Sequence, residues 1–187
     1  LDNNTYDREC NIVGLVAYKG AGKTTLTNAS SLNINRIGFA DVMYKMVEVM
    51  GFSMSDIMDP EIREQPQDML GGKTIRYALQ TLGTEWGRDI IYPSLWTDIA
   101  MRRIDYTPGV MNVFDNVRFD EEFDAIRKSG GKLVALKRPE LIPDLSHSSE
   151  QQIARLQDKC DHTFINSGTI EVASLSFSGL LESLRSE

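Results

Sequence analysis

Histidine and cysteine are scarce in this chain, with two of each among 187 residues. Cys10 and Cys160 lie far apart, and both read as free thiols of a reducing compartment rather than as a disulfide framework. No Cys/His cluster has zinc spacing. His147 and His162 are too few for a histidine-rich site. Positive charge is also short: 20 Lys and Arg stand against 27 Asp and Glu, a net charge of −7. A broad nucleic-acid-binding surface would be basic, so no polymeric nucleic acid is expected as a partner. An acidic chain can still hold a small anion where its few cations converge on one cleft. No apolar run reaches the roughly 18 residues of a membrane span, so no membrane partner is expected. The polar, acidic start "LDNNTYDREC" lacks the basic and apolar regions of a signal peptide. It reads as a short flexible lead-in, and the protein as cytoplasmic. What is present is ordinary globular composition, 41% apolar and 25% charged, in a length that suits a single domain over residues 1–187.

One stretch departs from the ordinary. "AYKGAGKTT", Ala17 to Thr25, ends as a phosphate-binding loop of the form G-x-x-x-x-G-K-[ST] ends, with Gly22, Lys23 and Thr24 in the last three places. Ala17 stands where the pattern has its first glycine. The context is the required one: the apolar run "NIVGLVA" (Asn11 to Ala17) precedes the loop, and "KTTLTNASS" follows with Leu26 and Ala29 at helical spacing. Backbone N–H groups in such a turn and at a helix N-terminus form an anion cradle. Gly20 and Gly22 let the backbone approach phosphates closely. Lys23 brings a full charge to the terminal phosphates, and the Thr24 hydroxyl is placed for Mg²⁺. The loop therefore predicts Mg-ATP or Mg-GTP.

Apolar strands alternate with helical patterns along the rest of the chain. A short strand is expected over Asn35 to Asp41. A helix capped by Asp41 and stopped by Gly51 follows, with Val42, Met46, Val47 and Met50 on one face. Phe52 to Gly72 reads as an irregular surface insertion. Helices are expected from about Thr74 to Trp86, and from Pro93 through Leu95, Trp96, Ile99, Ala100 and Ile104. Strands are expected at Val110–Phe114, Lys132–Lys137 and within "DHTFIN". Between them lie helices carrying Phe123 and Ile126, and "SSEQQIARLQDK", where Ser148 and Gln151 fit a capping box. A last helix from about Thr169 to Ser186 turns Ile170, Ala173, Phe177, Leu180, Leu181 and Leu184 inward. This alternation is that of an α/β fold: a parallel sheet of about five strands, covered by helices on both faces. Ligands of such sheets bind at the carboxyl ends of the strands.

Asp115 ends the apolar strand Val110–Phe114 and is a candidate Mg²⁺ ligand, directly or through water. Arg118 follows three residues later. Phosphoryl transfer needs positioning and charge neutralisation more than covalent help, and arginine grips phosphate through two hydrogen bonds. Arg76, Arg88, Arg118 and Arg138 all fall in loops or at ends of expected elements. No His, Cys or Ser constellation is poised as a nucleophile. A phosphate acceptor would need no general base, because its second pKa of about 6 leaves an anionic oxygen near pH 7.

The segments "RYALQTLGTEWGRD" (Arg76 to Asp89) with "LW" at Leu95-Trp96, and "VFDNVRFDEEFDAIRKSGG" (Val113 to Gly131), resemble the bacteriophage deoxynucleoside monophosphate kinase family. So do "FAD" at Phe39 to Asp41, "LGGKTIR" at Leu70 to Arg76, "HSSE" at His147 to Glu150 and "INSGTI" at Ile165 to Ile170. The resemblance implies a three-layer P-loop kinase fold that moves the γ-phosphate of ATP to a deoxynucleoside monophosphate. By position it implies phosphate binding by Lys19, Gly20, Ala21, Gly22, Lys23, Thr24 and Thr25. Asn166 and Gly168 would lie near the adenine. Arg76, Arg88 and Arg118 would hold the acceptor phosphate, and Asp41 and Lys45 would border the acceptor. Trp96 could stack on its base, although a Trp on an apolar helix face with Leu95 and Ile99 nearby is more often core. A small helical acceptor-binding region is implied at about 42–106. A short lid is implied at about 138–150, from which Arg138 could reach the transferring group. Many relatives have a second Asp where this chain has Asn116, which leaves Mg²⁺ to Thr24 and Asp115. The resemblance also implies a viral or prophage origin, and a host cytoplasm if the chain is phage-encoded.

Two other classes compete. One is a P-loop kinase for another phosphorylated small molecule. The other is an ATP-hydrolysing switch or motor, although the guanine-reading Asn-Lys-x-Asp of a GTPase is absent. A homodimer is compatible with an enzyme of this size.

Overall fold

The computed structural model describes residues 11–143 and 148–185. The lead-in with Cys10, His147, the side chains of the Ser148–Gln151 cap, the middle of the expected lid and the end of the last helix at Ser186 lie outside the described residues. The chain divides into two compact units, one of Leu1–Ile37 with Arg103–Glu187 and one of Gly38–Arg102.

The first unit is built on five parallel strands. They are β1 (Ile12–Val16), β2 (Ile34–Ile37), β5 (Met111–Phe114), β6 (Lys132–Lys137) and β7 (His162–Ile165), in the order β2-β5-β1-β6-β7. β1 sits between β5 and β6, with Val13 opposite Val113 and Leu15 opposite Val134. Its five residues are all buried, as a strand covered on both faces requires. Helices α1 (Lys23–Ala29) and α8 (Ile170–Leu184) bury Leu26, Ala173, Phe177, Leu181 and Leu184 against Val13, Leu15, Val113, Val134 and Leu136. Phe177 meets Phe164 of β7 edge to face, centroids 5.3 Å apart. On the other face α6 (Asp120–Lys128) and α7 (Ser148–Gln157) pack on β1 and β6, with Phe123, Ile126, Ile153 and Leu156 buried. The expected parallel sheet with helices on both faces is the observed one.

Several expectations shift. β2 is shorter and starts earlier than Asn35–Asp41, because the chain turns through Phe39 and Ala40, where Asp41 N donates to Gly38 O at 3.2 Å. Ala29 of α1 is exposed, and Ile170 of α8 is about half exposed. Both sit at helix ends, where the buried stripe has turned away from the sheet.

The second unit, Gly38–Arg102, holds α2 (Asp41–Val49), α3 (Met54–Met58), a two-residue hairpin of β3 (Pro66–Gln67) and β4 (Lys73–Thr74), α4 (Ile75–Thr81) and α5 (Leu95–Met101). Its core is Val47, Phe52, Ile57, Ile75 and Leu79. Ser53 closes a capping box with Asp56, and Thr74 caps α4 by accepting from Tyr77 N at 3.0 Å. The stretch Phe52–Gly72 is therefore more regular than its composition suggests. Asp41 is the first residue of α2 and not its cap, a position taken by Ala40. Its carboxylate accepts from Gly38 N at 2.9 Å. Met50 lies outside the buried stripe of α2 and is 46% exposed.

The main departure follows α4. The helix does not end at Trp86 but runs on as a π-helix, Leu82–Ile91. Trp96 packs against this wider winding. Its indole N–H donates to Gly83 O at 2.8 Å, within the π-helical stretch. The helix expected from Pro93 starts later, at Leu95, after a turn in which Leu95 N donates to Tyr92 O at 3.0 Å.

Candidate active site

The phosphate loop leaves the carboxyl end of β1 and winds into α1. Gly20 and Gly22 have φ of 84° and 94°, a left-handed region that only glycine enters at little cost. Ala21 between them is buried, at 1% exposure. The Lys23 ammonium folds back over the loop and donates to Ala17 O at 3.1 Å and Tyr18 O at 2.9 Å. Ala17 in place of the pattern's glycine is buried and supplies one of these carbonyls. Thr24 and Thr25, in the first turn of α1, are exposed, as is Lys19. Upstream, the buried Gln157 of α7 donates to both Val16 O and Leu136 O, at 3.0 and 3.3 Å. It ties β1 to β6 just before the loop begins.

β5 neighbours β1, so Asp115 leaves the same edge of the sheet as the loop. Its side chain is 14% exposed and its Oδ2 accepts from Arg36 Nη1 at 3.2 Å. Arg118 Nε donates to Asn116 Oδ1 at 2.7 Å. The turn carrying them is held by the buried Glu122, whose Oε2 accepts from Arg118 N at 2.8 Å and Phe119 N at 3.3 Å. Asn116 thus orients the arginine.

A cavity of about 340 Å³ opens beside the loop. Thr25, Leu26, Arg138, Asn166, Gly168 and Ile170 are among its lining residues. Arg138 is about half exposed and its Nε lies 3.8 Å from Glu140 Oε2. Lys19, Gly20, Ala21, Gly22, Lys23, Thr24, Thr25, Asp115, Arg118, Arg138, Asn166 and Gly168 all belong to this first unit.

Asp41, Lys45, Arg76, Arg88 and Trp96 belong to the second unit. Lys45 is exposed, and Arg88 lies half-buried in the π-helix. Arg76 Nε is ion-paired with Glu64. Trp96, a candidate both for base stacking and for the core, takes the core position. It is 3% exposed, and its ring lies so close to Gly87 that a Cβ there would sit 2.5 Å from it. The indole N–H is bound and the side chain is buried, which is the core alternative for this tryptophan.

Sequence reasoning missed Arg36, Glu122 and Gln157. Glu122 had a local signal, an acid in the first turn of α6. Arg36 and Gln157 had none, since their roles depend on which strands are neighbours.

No family model matches the chain. A curated protein of Acanthamoeba polyphaga mimivirus named "Putative deoxynucleotide monophosphate kinase" is 34% identical over 179 residues, which is 86% of this chain and 90% of that protein. Among solved structures, shikimate kinase from Aquifex aeolicus vf5 aligns with a TM-score of 0.53 at 13% identity, over 92% of this chain and 96% of that one. That likeness is one of fold, and the fold is that of a P-loop kinase. A phosphate loop at the centre of this sheet, with a relative matched over nine tenths of its own length, leads to one assignment: the chain belongs to the deoxynucleotide monophosphate kinase family.

Proposed function

We propose that the protein transfers the γ-phosphate of ATP to the phosphate of a deoxynucleoside monophosphate, giving ADP and the deoxynucleoside diphosphate. The observation that carries this reading is the built phosphate loop of Gly20 to Thr25, with Asp115 and Arg118 at the end of the neighbouring strand. The name of the mimivirus relative supports the choice of acceptor.

In this reading the amides of the loop and the first turn of α1 receive the donor's phosphates. Lys23, held ready on two loop carbonyls, supplies positive charge to them. The Thr24 hydroxyl and the Asp115 carboxylate are oxygen donors of the kind a hard divalent cation takes, and so fit Mg²⁺. When bound, that ion neutralises charge on the phosphates. Arg118, fixed by Asn116, and Arg138, on the cavity wall, are the cations available to the transferring group. An acceptor phosphate oxygen forms the new bond to the γ-phosphorus as the bond to the β-phosphate oxygen breaks. No base is needed, since that oxygen is already anionic. The roles of Asp41, Lys45, Arg76 and Arg88 toward the acceptor are part of the proposal and rest on the family resemblance.

ADP formation from Mg-ATP, with each deoxynucleoside and ribonucleoside monophosphate offered in turn, tests the reading. Lys23→Ala serves as the control for contaminating kinases. Turnover that needs a deoxynucleoside monophosphate, and is lost in that variant, is the expected result. ATP hydrolysis indifferent to every acceptor would overturn it.

A further inference from the structure

We infer that Asn166 is a positioning residue for the phosphate loop, which aims the Gly22 amide at the donor's phosphates, and not a contact for the nucleotide's base. The inference rests on the phosphoryl-transfer reading and deepens it. Its position after the last strand, on the wall of the 340 Å³ cavity, makes Asn166 look like a base contact. The side chain is engaged elsewhere. Its Nδ2 donates to Ala21 O at 2.8 Å. A Cβ built on Gly22 would stand 2.4 Å from the same nitrogen, so the amide lies directly against that glycine. The main chain is anchored as well, because Asn166 N donates to Lys137 O at 2.7 Å at the end of β6. Asn166 is therefore a strut between the sheet and the middle of the loop.

The consequence follows from peptide geometry. A trans peptide is planar, so the C=O of Ala21 and the N–H of Gly22 point in opposite directions. Holding the carbonyl toward Asn166 holds the Gly22 N–H away from it, facing the other side of the loop. Such a clamp is required here because the peptide turns about φ of Gly22, a residue with no Cβ to restrain it. A flip would replace an N–H donor by a carbonyl oxygen, which repels phosphate. Asn166 thus acts on the oligophosphate part of a nucleotide and leaves the nucleoside part alone.

Calorimetric titration of adenosine, ADP and inorganic tripolyphosphate into wild type, Asn166→Ala and Asn166→Asp tests this, with thermal unfolding as a check of folding. The aspartate keeps the shape, loses the donor and sets a carboxylate against a carbonyl, so it tests the idea even if the alanine variant folds poorly. Affinity for ADP and tripolyphosphate is expected to fall about tenfold in both variants, while that for adenosine stays within about twofold. The Gly22 amide resonance of the ligand-free protein should shift as well. Equal losses for adenosine and ADP, or no loss for either, overturn the inference alone. A wild-type protein that binds adenosine as tightly as ADP overturns the phosphate-loop reading and this inference with it.

Discussion

At the scale of single residues, Gly22 is the tightest constraint in the candidate site. Its φ of 94° and the Asn166 amide against its Cα both exclude a side chain. Gly22→Ala is expected to lower unfolding free energy in urea by about 1–2 kcal/mol from backbone strain alone, and to weaken ADP binding besides. A variant of unchanged stability would mean that the loop can relax. Cys160 gives a second residue-level expectation. Burial, and next the charge of Asp161, push its thiol up from 9.0 to about 12. The folded thiol stays neutral where the unfolded one has begun to ionise. Its contribution to stability is therefore complete below pH 9 and is lost as pH rises from 9 toward 12. Iodoacetamide at pH 8.5 should leave Cys160 unlabelled in native protein and label it in urea, as read by mass spectrometry of its peptide.

At the scale of elements, the π-helix Leu82–Ile91 and α5 form one device. Gly83 offers a carbonyl and Gly87 offers space, and the Trp96 indole takes both. Trp96→Phe keeps an aromatic side chain but removes the pyrrole half of the indole with its N–H, which leaves the Gly83 carbonyl without that partner and loosens the packing at Gly87. A loss of roughly 1–3 kcal/mol is expected, with the KM for the acceptor unchanged. A raised KM at unchanged stability would restore the stacking role. Periodicity could not reveal this device, because Thr74 to Trp86 reads as an ordinary helix and π winding leaves no distinct hydrophobic pattern. The indole of Trp96 lies thirteen residues downstream of Gly83 and nine downstream of Gly87, the glycines it touches.

At the scale of the whole molecule, a chain of net charge −7 must concentrate its few cations to hold a polyanion. In the proposed site those cations are Lys19 and Lys23 of the loop with Arg118 and Arg138 of the same unit. Ligand that binds only the folded state stabilises it, by about 2.7 kcal/mol at 100 times the dissociation constant. For a chain of this length that corresponds to roughly 5–10 °C in Tm. Differential scanning fluorimetry should show such a rise with Mg-ADP, and none with Lys23→Ala. An equal rise in that variant would place the nucleotide elsewhere.

The fold class was legible in the sequence because each cue was local. An apolar run such as "NIVGLVA" is a buried strand wherever it packs, and a Gly-Lys-Thr after it is a phosphate loop through its own backbone. The alternation of strands and helices follows from such runs taken one by one. What tertiary structure decided is everything that depends on which strands are neighbours and which way a side chain turns. Arg36 reaches Asp115 because β2 lies beside β5. Gln157 bridges β1 and β6 because α7 crosses their ends. Asn166 turns from the cavity it lines to the carbonyl of Ala21, 145 residues away in sequence. The sequence determined the elements and the loop, because their causes act over a few residues. The structure alone determined these pairings, because a hydrogen bond across the sheet leaves no mark on the spacing of either partner.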